Sequence, residues 1–246
     1  MKLKDVHVSG KRVFIRINLN VPLDKKSPDV TSTNRVPLDV SEVQSAIRKR
    51  IGCALPTINY CLEKGATSVV LASHIGRPGG AFAKKYSLEP VATELEKQIR
   101  KQVIFLKNCV GPEVEDVCAS PAPGSIILLE NVRFHIEEEG RGEINGEKVK
   151  ADEDKVTAFR ASLRKLADIY VCDAFGTGQR AHSSSMVGEG YEIKCAGLAV
   201  SQELEAWQPY DPKSFEMMYM LVGLGIMPFI IIAFLVTYTL FFGQGD

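Results

Sequence analysis

The chain has no excess of either charge. Thirty Lys and Arg stand against thirty Asp and Glu, a formal net charge of zero, which argues against a nucleic-acid surface or a general anionic-lipid surface as its partner. The six cysteines (Cys53, Cys61, Cys109, Cys118, Cys172 and Cys195) form no C-x-x-C pair. Several lie in apolar segments where a free thiol behaves as a small hydrophobe, so reduced, structural cysteines and no metal site are expected. The N-terminal MKLKDVHVSGKRVFIRI lacks the apolar stretch of a secretory signal, and no transit peptide is visible. Charge itself is missing from one place: residues 217–242, MMYMLVGLGIMPFIIIAFLVTYTLFF, hold no ionisable group other than tyrosine.

That uncharged run is long enough as a helix, at about 1.5 Å per residue, to exceed a hydrocarbon core of about 30 Å. A fully buried helix of a globular domain is the competing reading, and such helices seldom reach this length. Pro228 removes a backbone donor and should kink the helix, which membrane helices tolerate. Gly223 and Gly225 do not make a GxxxG spacing. Without an entry signal the run does not read as a lipid-anchor signal to be clipped, so it is expected to stay. The expected organisation is a globular domain over 1–206, a linker over 207–216 with Pro209 and Pro212, a transmembrane helix over 217–242 in the lipid bilayer, and a polar tail over 243–246. Trp207 and Tyr210 suit the membrane interface.

The first two hundred residues alternate between two patterns. Near-continuous apolar runs at 13–19 (VFIRINL), 68–73 (SVVLAS), 103–106 (VIFL), 125–130 (SIILLE) and 169–174 (IYVCDA) suit strands covered on both faces. Between them helical periods place Ile51, Leu55, Ile58 and Leu62 on one face, and Val156, Phe159, Leu163 and Leu166 on another. Ser87 suits the cap of a helix over 90–101. This alternation predicts an α/β fold, a doubly wound parallel sheet of Rossmann-like type. Residues 24–47 form a long polar connection with a short helix at 40–48, and 136–150 read as a hairpin or loop turning at Asn145-Gly146. The run Glu137-Glu138-Glu139 reads as a solvated face rather than a metal site.

In an open parallel sheet, ligands bind beyond the carboxyl ends of the strands. There the sequence delivers Asn18 and Asn20, then His74 and Arg77 in the turn SHIGRPGG, then Arg133 and His135, then Gln179, Arg180 and His182, with Arg50 ahead of a crossover helix. Any one of these arginines is best read as a locally paired surface cation. The set points to a small phosphorylated carboxylic acid, because guanidinium groups match phosphate and carboxylate bidentately.

The blocks RINLNVPL, RIGCALPTINYCLEKGATSVVLASHIGRP, YSLEPVATELEK, FLKNCVGPEVE, ILLENVRFHIEEEG and FRASLRKLADIYVCDAFGTGQRAHSSSMVG resemble the N-terminal domain of phosphoglycerate kinase, of the eukaryotic cytosolic type, over residues 3–205. The resemblance implies a phosphoglycerate-binding patch made of Asn20, Arg50, His74, Arg77, Arg133 and Arg180. Asn18 stands where the family has an aspartate, and Arg50, here vestigial, at the family's catalytic arginine. Gln179 replaces the family's usual histidine. The family's other half, which binds magnesium and adenine nucleotide, is expected to be missing, because the sequence turns to linker and apolar run near 201–206, and phosphoryl transfer needs nucleotide, metal and acceptor held in line. An asparagine can still bond a hydroxyl, so residual phosphoglycerate binding stays open.

Three functions compete at this point. The first is a catalytically inactive accessory or structural subunit of a multi-subunit membrane complex, with no cofactor and no nucleic acid, in the mitochondrial inner membrane or, as the alternative, a thylakoid or other organelle membrane. The second is a half-kinase completed by a partner chain that supplies the nucleotide domain. The third is a phosphoglycerate sensor.

Overall fold

The computed structural model describes residues 1–21, 40–144, 146–178 and 181–206. The chain divides into two units, Met1–Glu203 and Leu204–Asp246. The first carries everything below except the last turn of the final helix.

Eight strands and eight helices are described, together with short 3-10 turns. In order they are β1 (Arg12–Ile17), α1 (Val40–Glu63), β2 (Ser68–Ala72), α2 (Glu89–Ile99), β3 (Val103–Leu106), α3 (Pro112–Ala119), β4 (Ser125–Leu129), α4 (Ile136–Glu139), β5 (Arg141–Ile144), β6 (Glu147–Lys150), α5 (Glu153–Lys165), β7 (Ile169–Asp173), α6 (Phe175–Gly178), α7 (Ser183–Met186), β8 (Ile193–Ala196) and α8 (Leu198–Ala206). Six strands form one parallel sheet in the order β3-β4-β2-β1-β7-β8, while β5 and β6 make a separate antiparallel hairpin.

Both faces of the sheet are buried, which is why its strands read as unbroken apolar runs. Odd positions of β1 (Val13, Ile15, Ile17) join Val69, Leu71 and Ile58 in one core. The even position Phe14 joins Val70, Ile127, Phe159 and Leu163 in a second core on the opposite face. The period of two along a strand thus sends alternate side chains to helices on opposite sides. Arg16 continues the even row, on the face of Phe14, and it is fully buried.

Several expectations meet a different structure. The short helix at 40–48 and the amphipathic segment behind it are one helix, α1, which runs through Pro56. Ser87 acts at the start of α2, where its Oγ accepts the N–H of Glu89 at 3.2 Å. The segment after Phe134 forms a helical turn before the hairpin, and Glu138 in that turn is fully buried, not solvated. Strand β8 was not anticipated. Among the described residues no helix is long and apolar enough to cross a membrane, and residues 217–242 lie outside them.

Candidate functional site

The carboxyl ends of β1, β2 and β4 are stitched together by short polar side chains. Ser73, just past β2, accepts the N–H of Leu19 at 3.0 Å and donates to the carbonyl of Ile17 at 2.9 Å. Asn18 Oδ1 accepts the N–H of Asn20 at 3.2 Å, and Asn20 Oδ1 accepts the N–H of Gly76 at 3.0 Å. Asn131, at the exit of β4, donates to the carbonyls of Ile75 and Tyr86 at 2.8 and 2.9 Å. The Gly-rich turn after β2 is therefore clamped from both neighbouring strands.

Two glycines make that turn close. Gly76 sits at φ +66, and a Cβ there would overlap the ring of Tyr86. Gly80 sits at φ +92, and a Cβ there would overlap the side chain of Ile136. Both features call for glycine, which alone adopts such backbone at no steric cost.

Arg133 anchors the far side of the turn. It is 4% exposed, donates from Nη1 to the carbonyl of Gly76 at 2.8 Å and pairs through Nη2 with Glu139 at 3.0 Å. Its Nε is buried without a hydrogen-bond partner. Burial pulls its pKa down, with Glu139 opposing and the nearby guanidinium groups of Arg16 and Arg77 adding to the fall. Leaving that N–H unpaired is costly, because an unmade charged hydrogen bond costs more than an unmade neutral one. Arg77 is exposed at the tip of the same turn.

Behind this turn lies a buried polar network. Arg16 reaches His74, which is 2% exposed, with Nη2 to Nδ1 at 2.7 Å. Its Nε donates to Ser184 Oγ at 2.8 Å, and Ser184 donates in turn to Glu138 at 2.6 Å. Burial pushes the Glu138 carboxyl up, opposed first by Arg16 and then by the Ser184 bonds. His182 stands 3.8 Å from both Glu138 and Glu139.

A cavity of about 100 Å³ opens at the carboxyl ends of β1 and β7. Its lining includes Asn18, Arg50, Asp173, Phe175 and Val200. Asp173 Oδ1 accepts the backbone N–H groups of Ala199 and Val200 at 3.0 and 3.2 Å, while its buried Oδ2 has no hydrogen-bond partner.

Of the residues expected from the sequence, the structure thus places Asn20, His74 and Arg133 around the Gly76 turn with Arg77 at its tip, and Asn18 with Arg50 along the neighbouring cavity. Arg180 and Gln179 lie outside the described residues. His135 belongs elsewhere: its Nε2 meets Asn108 Oδ1 at 2.8 Å and its ring packs on Phe159, where burial pushes its pKa down. Among the described residues no group of three His, Cys, Asp or Glu is placed to hold a metal. Sequence reasoning missed Arg16, Glu138 and Asp173. A lone arginine inside the apolar run VFIRINL was the available signal, since buried charges are almost always paired.

Comparison with known proteins gives the family. The phosphoglycerate kinase family model matches residues 3–223. Phosphoglycerate kinase 1 of Notamacropus eugenii is 52% identical over 206 residues, and phosphoglycerate kinase 2 of Homo sapiens 50% over 207 residues. Each alignment covers 83% of this chain and 45% of the relative, so the chain spans less than half the length of these relatives. Among solved structures, phosphoglycerate kinase from Coxiella burnetii superposes with a TM-score of 0.58 at 31% identity, covering 86% of this chain and 46% of the other. The enzyme from Pyrococcus horikoshii OT3 gives 0.62 at 27%, covering 84% and 44%. With the family model matched over residues 3–223 and relatives at 50–52% identity, the chain belongs to the phosphoglycerate kinase family.

Proposed function

We propose that residues 1–206 are a phosphoglycerate-binding domain held at a membrane by residues 217–242, and that the chain serves as an accessory subunit of a membrane complex without itself transferring phosphate. The observation that carries the binding half is Arg133, buried at the Gly76 turn with its Nε unpartnered. Arg133, Arg77 and Arg50 with the amides of Asn18 and Asn20 supply donors suited to a phosphate at one end and a carboxylate at the other. Support for the anchoring half is the uncharged run at 217–242, whose length suits a bilayer.

Asn18 supports a role in holding rather than in catalysis, since an amide bonds a hydroxyl but carries no negative charge.

The test uses the chain purified in detergent together with its bound partner chains, with 3-phosphoglycerate, ATP and magnesium, following ADP. This reading expects binding of 3-phosphoglycerate without ADP release. Sustained turnover that Arg50→Ala abolishes would favour the second reading, in which a partner chain supplies the nucleotide site. Fractionation of whole cells, with the mitochondrial inner membrane as the expected compartment, tests the setting.

A further inference from the structure

Cys53 stands apart from the other cysteines. It is exposed, whereas Cys61, Cys109, Cys118 and Cys195 are buried and Cys172 is half-buried. Burial pushes the thiols of Cys61 and Cys195 up to about 12 and that of Cys118 to about 11, and it pushes Cys109 up as well. Because the thiolate is the nucleophile in disulfide exchange, those four are inert toward a disulfide at neutral pH. Cys53 lies on the outside of α1, where a Cβ added to its neighbour Gly52 would meet nothing within 4 Å.

Its place on that helix gives the thiol its surroundings. Cys53 follows Arg50 by three residues, so the two share one face of α1. Both line the cavity of about 100 Å³, together with Asn18 and Glu203. The same cavity holds an unanswered polar atom: Asp173 lines it, is 6% exposed, and its Oδ2 has no hydrogen-bond partner. An exposed thiol, an exposed guanidinium and a buried carboxyl oxygen around one cavity suit a small peptide-like group that carries both carboxylates and N–H donors.

We propose that Cys53 is a site of reversible mixed-disulfide formation with a small acidic disulfide of the glutathione type, and that the adduct closes the cavity to phosphoglycerate. The Cys53 thiol gives its proton to water and its sulfur attacks one sulfur of the disulfide. The old S–S bond breaks as the new one forms, and the other half leaves as a thiolate that takes up a proton. Cys53 is oxidised and the departing half reduced, so the exchange uses no further oxidant. Arg50 draws in the carboxylates of the reagent, with Glu203 offsetting part of that attraction. Once attached, those carboxylates stay beside Arg50 and compete with a ligand phosphate for it. The closing of the cavity rests on the phosphoglycerate-binding reading, whereas the modification does not.

The test treats the chain, purified in detergent with its bound partner chains, with millimolar glutathione disulfide. Peptide mass mapping should place one glutathionyl group on this chain, at Cys53, and dithiothreitol should remove it. Cys53→Ser should take none, while Cys172→Ser should take it as the wild type does. Arg50→Ala should slow the modification about threefold, the size of one exposed charge contact, and an unchanged rate would remove Arg50 from the proposal. Calorimetry should show affinity for 3-phosphoglycerate at least about tenfold weaker in the modified chain, and no loss in Cys53→Ser after the same treatment. No adduct, or one that settles on another cysteine, overturns the site. An adduct at Cys53 with affinity unchanged overturns the closing of the cavity. A reduced chain that takes the adduct at Cys53 but binds no 3-phosphoglycerate upholds the modification and defeats the binding reading instead.

Discussion

Asp173 caps the N-terminus of α8 from a different strand: its Oδ1 accepts the backbone N–H of Ala199 at 3.0 Å and also that of Val200. A Cβ on Gly197 would overlap this carboxylate, so the approach depends on glycine. The cap ties the end of β7 to the start of α8.

Removing the cap with Asp173→Ala should cost roughly 1–3 kcal/mol, the usual range for a helix cap combined with stranded buried donors. Asp173→Asn keeps an accepting oxygen and should cost less. Burial pushes the Asp173 carboxyl above its ordinary value of 3.8, opposed by the bonds from Thr57, Val200 and Ala199. The folded state therefore prefers the protonated form. The residue's contribution to stability is fullest below the unfolded value and is lost as pH rises through the raised folded value. The stability of Asp173→Asn relative to wild type should fall as pH is lowered from 7 toward 4. Urea unfolding midpoints of the two proteins across that range check the sign.

Gly80→Ala should be among the costlier single-methyl changes in the chain. The residue is at φ +92, and the added methyl would overlap Ile136. Backbone strain alone is worth roughly 1–3 kcal/mol. Because the turn also carries Arg77, 3-phosphoglycerate affinity should fall with stability. Gly10→Ala is the control, at φ +70 with nothing within 4 Å of its Cβ. It should show the strain without the overlap and leave affinity unchanged, as melting curves and calorimetry would report.

Arg133 and Arg50 should separate stability from binding. Arg133 is 4% exposed and paired with Glu139 at 3.0 Å. Arg133→Ala strands a carboxylate and should lower stability by several kcal/mol along with affinity. Arg133→Lys cannot bridge the Gly76 carbonyl and Glu139 together, so it should restore little. Arg50 is exposed, and Arg50→Ala should move stability by no more than about 0.5 kcal/mol while weakening 3-phosphoglycerate binding. Equal losses of stability in Arg50→Ala and Arg133→Ala would contradict this division.

The sequence disclosed the frame of this site better than its interior. Asn20, His74 and Arg133 were legible because each follows a strand that reads as an apolar run, and strand exits are where an open parallel sheet binds ligands. Nothing in a linear sequence shows that Arg133 is buried while Arg77 is exposed, since that follows from how the turn folds back on Ile136 and Tyr86. Glu138 was misread for a similar reason. Three adjacent glutamates look solvated, yet a single helical turn points one of them inward at Arg16 and Ser184. Strand β8 escaped notice because it is a four-residue edge strand with an exposed lysine inside it. Helix α1 was read as two pieces, a short helix at 40–48 and an amphipathic period from Ile51 to Leu62, where one helix runs from Val40 to Glu63.

The most direct test of the account is a calorimetric titration of 3-phosphoglycerate into the full-length chain recovered from carbonate-washed membrane vesicles. The account predicts that the chain stays with the vesicles and gives a saturable heat at or below millimolar ligand, where about 4 kcal/mol of binding is enough to be seen, and that Arg133→Ala abolishes it. A chain released by carbonate, or one retained but silent at millimolar 3-phosphoglycerate, would contradict it.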